Sequence, residues 1–284
     1  MIMLNNNLRI FLSVAELGSV TEAAKKLYIS QPAVSQAVRK LEEELGVKLF
    51  IRSKRSSLQL TDIGEKTLAL AYQMADLENK MYQAAYEENH LMGGTVRIAT
   101  VPTGASIIMA RVLPIFKKQF PDVTVELVEA APAAVTEMVR TFQADLGIGL
   151  PPYRDMEHRL LLRDKMVSIS RDRSRRVDLK TAGSDLVLCR VAYESITEML
   201  TGQDIDLSHS LVVDAASTQL NMVENGNGVG VISRLMLSTI PNELVSGTVV
   251  PELEIEISLI ANRFDDLPTA AKEMAAMILQ YKQV

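Results

Sequence analysis

The chain has 284 residues, 48% of them hydrophobic, and a net charge of −5. This length is sufficient for more than one domain with its own core. No apolar run approaches the roughly 18–20 residues of a membrane-spanning helix, and a single cysteine, Cys189, excludes an internal disulfide. The N-terminus lacks the basic and apolar regions of a signal peptide, so a soluble, cytoplasmic protein without a membrane partner is expected.

Charge is distributed unevenly along the chain. Residues 1–61 contain nine Lys/Arg and five Asp/Glu, whereas the remaining residues contain 21 Lys/Arg and 30 Asp/Glu. A basic first fifth in an otherwise acidic chain predicts a localised surface for a polyanion rather than a generally adhesive protein.

Two short helices joined by a polar turn are predicted in this basic region. Ser19 and Glu22 form a Ser-x-x-Glu capping box at the start of the first helix. Ser30 is a favourable N-cap for the second helix, and Pro32 lies in its first turn, where no N–H is needed. These signals predict helices that begin near residues 20 and 31.

The second helix is predicted to be amphipathic. Its apolar face carries Val34, Val38, Leu41 and Leu45. The opposite side presents groups able to pair with base edges and phosphates, namely Gln31, Ser35, Gln36 and Arg39. A merely solvated polar face is the alternative, but the capped helix before it favours a helix-turn-helix that reads the DNA major groove.

A basic segment follows this pair of helices. Residues 48–61 contain two β-like runs on either side of a Ser/Lys/Arg tip, which predicts a two-stranded wing. Arg52, Lys54 and Arg55 are then expected to contact phosphates or enter an adjacent minor groove.

A long helix is predicted next, because residues 65–92 contain neither glycine nor proline. Mostly apolar residues recur at alternating spacings of four and three, as in a coiled coil, at Ile63, Thr67, Leu70, Met74, Leu77, Met81, Ala84, Glu88 and Leu91. We expect a dimerisation helix that ends at Gly93-Gly94. An ordinary amphipathic helix packed on its own chain is the alternative.

From Thr95 onward the pattern alternates between strands and helices, which predicts a doubly wound α/β fold. Strands are expected at 95–100, 123–128, 144–150, 166–170, 185–191 and 255–262. Helices are expected at 105–120, kinked or restarted near Pro114, and at 132–142, 217–224 and 269–281.

The stretch FLSVAELGSVTEAAKKLYISQPAVSQAVRKLEEELGVKLFIR resembles the winged helix-turn-helix of LysR-type bacterial transcriptional regulators. The stretches LPIFKKQFPDV and ENGNGVGVISRLM resemble, less specifically, that family's effector domain, whose two α/β lobes are similar to a periplasmic binding protein. The resemblance implies a homo-oligomer, commonly a tetramer, that binds an interrupted palindrome and responds to a small effector. It places Gln31, Pro32, Ser35, Gln36 and Arg39 at the DNA, Arg52 and Arg55 in the wing, and Thr21 and Ser30 against the DNA backbone.

These patterns divide the chain into a winged helix-turn-helix (1–61), a linker helix (62–93) and a regulatory domain (94–284). Lobe one is expected at about 94–163 plus 264–284 and lobe two at about 164–263, with crossings near 161–164 and 263–267. The arginine-rich segment 168–185 departs from the family pattern at the start of lobe two.

An effector is expected at the carboxyl ends of the strands, between the lobes. The loop after the first strand supplies hydroxyls and free N–H groups suited to an anion, through Thr100, Pro102, Thr103 and Ser106. Its counterpart on lobe two is the helix entry at Ser217 and Thr218. Either loop could be only an N-cap. Further candidates are Arg190, Tyr193, Pro151 and Pro152.

Catalysis has little support in the sequence. The three histidines lack metal-ligand spacing, and Cys189 lies in an apolar run typical of a core. We therefore expect a DNA-binding regulator without a metal or cofactor, whose partners are promoter DNA, further copies of itself and RNA polymerase. The rival hypothesis is a cytoplasmic small-molecule binding protein or enzyme whose N-terminal helices serve only for assembly.

Overall fold

The computed structural model describes residues 6–52, 58–88, 93–182, 185–203 and 205–281. The chain forms two compact units, one over Met1–Leu91 with Thr141–Gln143, the other over Met92–Arg140 and Ala144–Val284. The predicted boundary at residue 61 falls inside the first unit and stays a prediction. No helix among the described residues has both the length and the apolar character needed to cross a membrane.

The first unit begins with three helices, α1 (Asn6–Leu17), α2 (Val20–Leu27) and α3 (Gln31–Leu45). The predicted caps are confirmed, because Ser19 Oγ accepts from Glu22 N and Ser30 Oγ accepts from Ala33 N, both at 3.3 Å. The Glu22 carboxylate, however, pairs with Lys25 at 2.8 Å instead of completing the capping box. Gly46 ends α3 with a positive φ of 69°, which glycine adopts without strain.

The core of this unit lies between α1, α2 and α3. Ala23 and Ala24 are buried there against Ile10 and Val14, so their small side chains allow the predicted close approach of helices. The apolar face of α3 is only partly as predicted: Val34 and Leu41 are buried, but Leu45 is 48% exposed. Two further residues of α3 are buried, Ala37 and, unexpectedly, the charged Glu42.

The predicted wing is present as strands β1 (Phe50–Arg52) and β2 (Leu58–Leu60). They pair antiparallel, with Phe50 opposite Leu60. The tip that carries Lys54 and Arg55 lies outside the described residues.

The predicted linker helix is α4 (Asp62–Glu88), 27 residues long. Thr61 Oγ1 accepts from Gly64 N at 3.0 Å and thereby caps its first turn. Gly64 is required at this point, because a Cβ on it would lie 2.2 Å from the Leu49 carbonyl oxygen.

The second unit contains a sheet of nine described strands. Their order across the sheet is β4 (Val123–Glu129), β3 (Gly94–Thr100), β5 (Leu146–Gly149), β13 (Glu254–Ala261), β6 (Glu157–Ser170), β10 (Val229–Ser233), β8 (Leu186–Cys189) and β9 (Leu211–Val213), and β11 (Val245–Gly247) pairs with β6. In lobe one, β3, β4 and β5 are parallel, and β13 is antiparallel to β5. In lobe two, β8, β9 and β10 are parallel, and β11 is antiparallel to β6. A two-stranded sheet joins β7 (Val177–Asp178) to β12 (Val249–Val250). The predicted doubly wound α/β class is confirmed.

The helices cover both faces of this sheet. They are α5 (Pro102–Gly104), a π-helical turn (Ala105–Met109), α6 (Ala110–Gln119), α7 (Pro132–Arg140), α8 (Arg190–Met199), α9 (Ala216–Glu224), α10 (Arg234–Thr239) and α11 (Thr269–Gln280). The irregular part of the first helical segment is the π-helical turn and not, as predicted, Pro114. Pro114 is exposed and lies inside α6, which continues past it with the loss of one N–H donor.

Strand β6 (Glu157–Ser170) joins the two lobes. Its first half pairs with β13 and its second half with β10 and β11, so the first predicted crossing, near 161–164, lies within a single continuous strand. The return crossing is not at 263–267 as predicted. Residues 254–257 of β13 pair with the crossing segment 162–165 of β6, and Ser258 already pairs with Gly149 of β5, so the chain has returned to lobe one by Ser258.

Candidate functional sites

The polar face of α3 is fully available to a DNA duplex. All five residues that were assigned to the DNA on this helix are exposed in the structure, namely Gln31, Pro32, Ser35, Gln36 and Arg39. The helix presents them from its first half, as a recognition helix does when its N-terminal residues contact base edges. Their contacts with DNA stay a prediction.

The turn between α2 and α3 adds a residue that the sequence did not suggest. Tyr28 is 95% exposed and has a positive φ of 54°, and its N–H donates to the Ala24 and Lys25 carbonyls at the end of α2. Its phenol is therefore exposed to solvent at the turn that leads into α3. Thr21 is half-buried, and Ser30 is exposed while its oxygen caps α3.

The base of the wing is fixed to the recognition helix through Glu42. Its carboxylate accepts from Leu49 N at 2.9 Å and Phe50 N at 3.3 Å, and pairs with Lys48 Nζ at 2.6 Å. Burial alone raises the pKa of Glu42, but these hydrogen bonds and the Lys48 charge outweigh it and hold the pKa below its usual value. Arg52 lies on β1, whereas Arg55 belongs to the segment outside the described residues.

One face of α4 is exposed and apolar. The predicted coiled-coil positions Leu70, Met74, Leu77 and Met81 are each 51–60% exposed, and Ile63 is 42% exposed. A different face, which includes Ala71, packs with Leu8 and Phe11 of α1. Within the first unit these five positions are thus left uncovered, which favours the predicted dimerisation helix over an ordinary packed helix.

A cavity of about 520 Å³ lies between the lobes of the second unit. Lobe one contributes Val101, Pro102, Thr103, Glu129 and Leu150, and β6 and β13 contribute Asp164, Met166, Ile255 and Ile257. Lobe two contributes Cys189, Val191, Ala192, Ser195, Asp214, Ala215, Ala216, Ser217, Ile232, Ser233, Met236 and Ile240. We name this the interlobe cavity.

The structure brings three of the seven predicted ligand-binding residues together at the interlobe cavity, namely Pro102, Thr103 and Ser217. Thr100 is fully buried, and its hydroxyl donates to the Val101 carbonyl at 3.0 Å. Ser106, Arg190 and Thr218 are exposed and do not line this cavity. Arg190 instead pairs with Asp214 at 2.9 Å.

The start of α9 supplies donors at the wall of the interlobe cavity. Its N-cap residue, Ala215, has no side chain that could bind the N–H groups of the first turn. Those N–H groups and the helix dipole favour an anionic group of a ligand. Ser217 contributes a hydroxyl at the same place.

Of the three acidic residues that line the interlobe cavity, Glu129, Asp164 and Asp214, Asp164 already accepts several hydrogen bonds within the protein. Asp164 accepts from the Ser233 hydroxyl, from Leu235 N at 3.3 Å and from Lys165 N at 2.7 Å. Asp164 therefore caps the start of α10 and accepts hydrogen bonds from three residues. This role could not be predicted from local sequence, because Asp164 lies inside a strand and far from Ser233 along the chain.

The single cysteine, Cys189, lies at the wall of the interlobe cavity. Burial raises the pKa of the Cys189 thiol, so that thiol stays protonated and unreactive at neutral pH. Within the described ranges, no group of His, Cys, Asp and Glu has the arrangement of a metal site.

Residues 5–65 match the bacterial regulatory helix-turn-helix protein, lysR family, and residues 89–283 match the LysR substrate binding domain. The chain is 38% identical over 285 residues to YoaU of Bacillus subtilis, an uncharacterized HTH-type transcriptional regulator, with 98% of each chain covered. It is 31% identical to a second such regulator of the same organism, YvbU, over 93% of this chain and 94% of that one.

Solved structures share the fold over nearly the whole chain. A full-length OxyR variant from Pseudomonas aeruginosa superposes with a TM-score of 0.66 at 20% identity, covering 97% of each chain. Full-length CbnR in complex with its target DNA superposes with a TM-score of 0.62 at 19% identity, covering 96% of this chain and 97% of that one. The sequence relatives are named as regulators and not as enzymes. The chain therefore belongs to the LysR family of bacterial transcriptional regulators, with an N-terminal DNA-binding helix-turn-helix and a C-terminal effector-binding domain.

Proposed function

We propose that this regulator responds to a small carboxylate-bearing metabolite, such as an organic acid or an amino acid, bound in the interlobe cavity. The observation that carries the proposal is that both lobes line one cavity large enough for such a molecule. Thr103 reaches it from lobe one, while Ser217 and the uncapped start of α9 reach it from lobe two. A carboxylate placed there contacts both lobes and favours their closed arrangement.

Regulation then follows from the difference in effector affinity between two lobe arrangements. A tenfold preference for one arrangement shifts the equilibrium by about 1.4 kcal/mol. We infer that this shift changes how the DNA-binding units of an oligomer engage the promoter, and so changes access by RNA polymerase. The protein acts in the cytoplasm, because that is where a bacterial promoter lies.

The oligomer in this proposal is a dimer through α4, which pairs again into a tetramer. The support for the dimer is the exposed apolar face of α4, where Leu70 and Leu77 are 59% and 60% exposed. Apolar residues at coiled-coil spacing on a free helix face are buried when two such helices associate. No cofactor is needed for either step.

The effector site is tested by a thermal-shift screen of small carboxylates and amino acids, followed by two matched pairs of variants. A ligand at a hundred times its Kd stabilises the protein by about 2.7 kcal/mol, which is readily seen as a rise in Tm. Ser217→Ala and Thr103→Val should abolish that rise. Thr218→Ala and Ser106→Ala, which change neighbours that do not line the cavity, should retain it. An equal rise in all four variants would place the ligand elsewhere.

A further inference from the structure

One wall of the interlobe cavity is an apolar patch on the central sheet. Met166 of β6 lines the cavity together with Ile255 and Ile257 of β13, and these side chains are only 2–5% exposed. Strand register places them side by side, because Ile255 pairs with Asp164, which lies two positions before Met166 on the same face of β6. Neighbouring strands lie about 4.8 Å apart, and alternate residues of one strand lie about 6.7 Å apart. The three side chains therefore form one continuous hydrocarbon surface.

Lobe two contributes further apolar side chains to the same cavity. Met236 lines it from α10, and Ile240 lines it from the residue that ends this helix. Both side chains are half-buried, so part of their surface is still accessible. A ligand that covers this surface removes it from water, which favours binding of a hydrocarbon group.

The polar groups beside the apolar patch are already paired with each other. Asp164, the strand partner of Ile255, accepts from the Ser233 hydroxyl and from two backbone N–H groups. The Ser233 hydroxyl in turn accepts from Met236 N at 3.0 Å. A hydroxyl on a ligand at this wall would have to displace these bonds or stay unpaired, and an unpaired polar group in apolar surroundings is costly.

The charged residues of the cavity disfavour a second carboxylate. Among the lining residues that the structure describes, the charged ones are all acidic, namely Glu129, Asp164 and Asp214. Arg190 pairs with Asp214 at 2.9 Å and does not line the cavity. One carboxylate can lie at the start of α9, as proposed above, but a second one at the apolar patch would meet no cation. Burial of a charge without a partner is strongly unfavourable.

We propose that the effector is a monocarboxylate whose other end is a hydrocarbon group. This group lies against Met166, Ile255 and Ile257 on the sheet and against Met236 and Ile240 of lobe two, while the carboxylate lies at the start of α9. The cavity thereby selects against dicarboxylates and against acids with a polar far end. This inference rests on the proposed function, since it names the class of molecule that the same cavity accepts.

Calorimetric titrations of the full-length protein with sets of three acids of equal length test the inference. Each set contains an alkanoate, the ω-hydroxyalkanoate and the α,ω-dicarboxylate, for chains of four to eight carbons. We expect the affinity of the alkanoates to rise about fourfold with each methylene until the cavity is full. In the best-fitting set the alkanoate should bind at least about tenfold more tightly than the other two acids, because each of those buries a polar group without a partner.

Met236→Gln tests the apolar contact, and Met222→Gln is its matched control. Both methionines are half-buried and pack against the same apolar cluster of lobe two, but of the two only Met236 lines the cavity. Met236→Gln should reduce the alkanoate-to-dicarboxylate affinity ratio several-fold, whereas Met222→Gln should leave it unchanged. Met236→Lys supplies a cation at the hydrocarbon end and should reverse the preference, so that the dicarboxylate binds more tightly.

An alkanoate that binds no more tightly than its hydroxy acid and its dicarboxylate at every length would overturn the inference. So would an affinity ratio that is equal in Met236→Gln and Met222→Gln, or absence of binding by every alkanoate at millimolar concentration. If dicarboxylates bind best and lose affinity in Ser217→Ala, the apolar end is wrong while the proposed effector site stands. If primary alcohols bind as tightly as the alkanoates and lose affinity in Met236→Gln, the apolar end is supported and the carboxylate of the proposed function is wrong.

Discussion

The carboxylate of Glu42 accepts a hydrogen bond from the backbone N–H of Leu49 at 2.9 Å. Glu42 lies near the end of the recognition helix, and Leu49 immediately precedes β1 of the wing. From the other side of the wing, the Thr61 hydroxyl donates to the Lys48 carbonyl at 2.7 Å. The segment that leads into β1 is therefore held at both edges, which fixes the wing relative to the helix that reads DNA.

Replacing Glu42 with glutamine should loosen this junction. Glutamine keeps the size and one acceptor oxygen but loses the charge that pairs with Lys48 and strengthens the N–H contacts. A hydrogen bond to a charged group contributes about 1.5–3 kcal/mol, so we expect a loss of about 1–3 kcal/mol in local stability. Hydrogen exchange at the Leu49 and Phe50 amides measures it. Glu43→Gln, at an exposed neighbour, is the control, and equal exchange in the two variants would contradict the prediction.

Acid should weaken the same junction. The pKa of Glu42 is lowered in the folded state, so its carboxylate stabilises the fold fully above the ordinary glutamate pKa of about 4.3. That contribution is lost as the pH falls below this value and through the lowered folded-state pKa. We expect exchange of the Leu49 amide to accelerate in this window beyond its intrinsic pH dependence. Glu42→Gln should remove the additional acceleration; if it does not, another carboxylate is responsible.

Glu42 also illustrates what a sequence can and cannot predict here. The ends of α3 follow from local chemistry, because Ser30 caps its start and Gly46 adopts the positive φ that stops it. The helical period places Glu42, four positions after Val38, beside the apolar face and Glu43 away from it, but it does not predict that a carboxylate is buried there. The burial of Glu42 depends on Leu49 and Phe50 folding back onto α3, which is a tertiary contact.

In the regulatory domain, too, local patterns predict the elements but not their tertiary contacts. Alternating patterns predicted most long strands and helices, but the position of β13 in lobe one depends on pairing with β5 and β6, which lie far from it along the chain. Thr103 was predicted to lie at the site because it follows the carboxyl end of a strand, and Ser217 because it lies at a hydroxyl-rich helix entry. Ser195 was not predicted, since a serine within a helix carries no signal until α8 is seen to line the interlobe cavity.

The exposed face of α4 leads to a prediction about assembly. Leu70→Asp with Leu77→Asp should produce monomers, because two copies of each charge would be buried without partners in a coiled-coil interface. Sedimentation velocity of the full-length protein measures the change in mass. Gln73→Asp adds a charge to the same helix at an exposed position outside the apolar face and should leave the oligomer intact. A double variant that sediments like the unaltered protein would assign the contact to another surface.

The recognition helix and the wing should make separable contributions to DNA binding. Gln36 and Arg39 are exposed on α3, where side chains reach base edges, so Gln36→Ala or Arg39→Ala should relax base preference by about 1–3 kcal/mol per contact. Arg39→Lys retains the charge but loses the bidentate guanidinium, so it should lose base preference while keeping the salt dependence.

Arg52→Ala with Arg55→Ala should instead reduce the slope of log affinity against log salt by about 0.9 for each phosphate contact removed. Titrations of the protein's own upstream region and of random DNA over a range of salt concentrations give both quantities. If the wing variant changed base preference while Arg39→Lys did not, the two roles would be reversed.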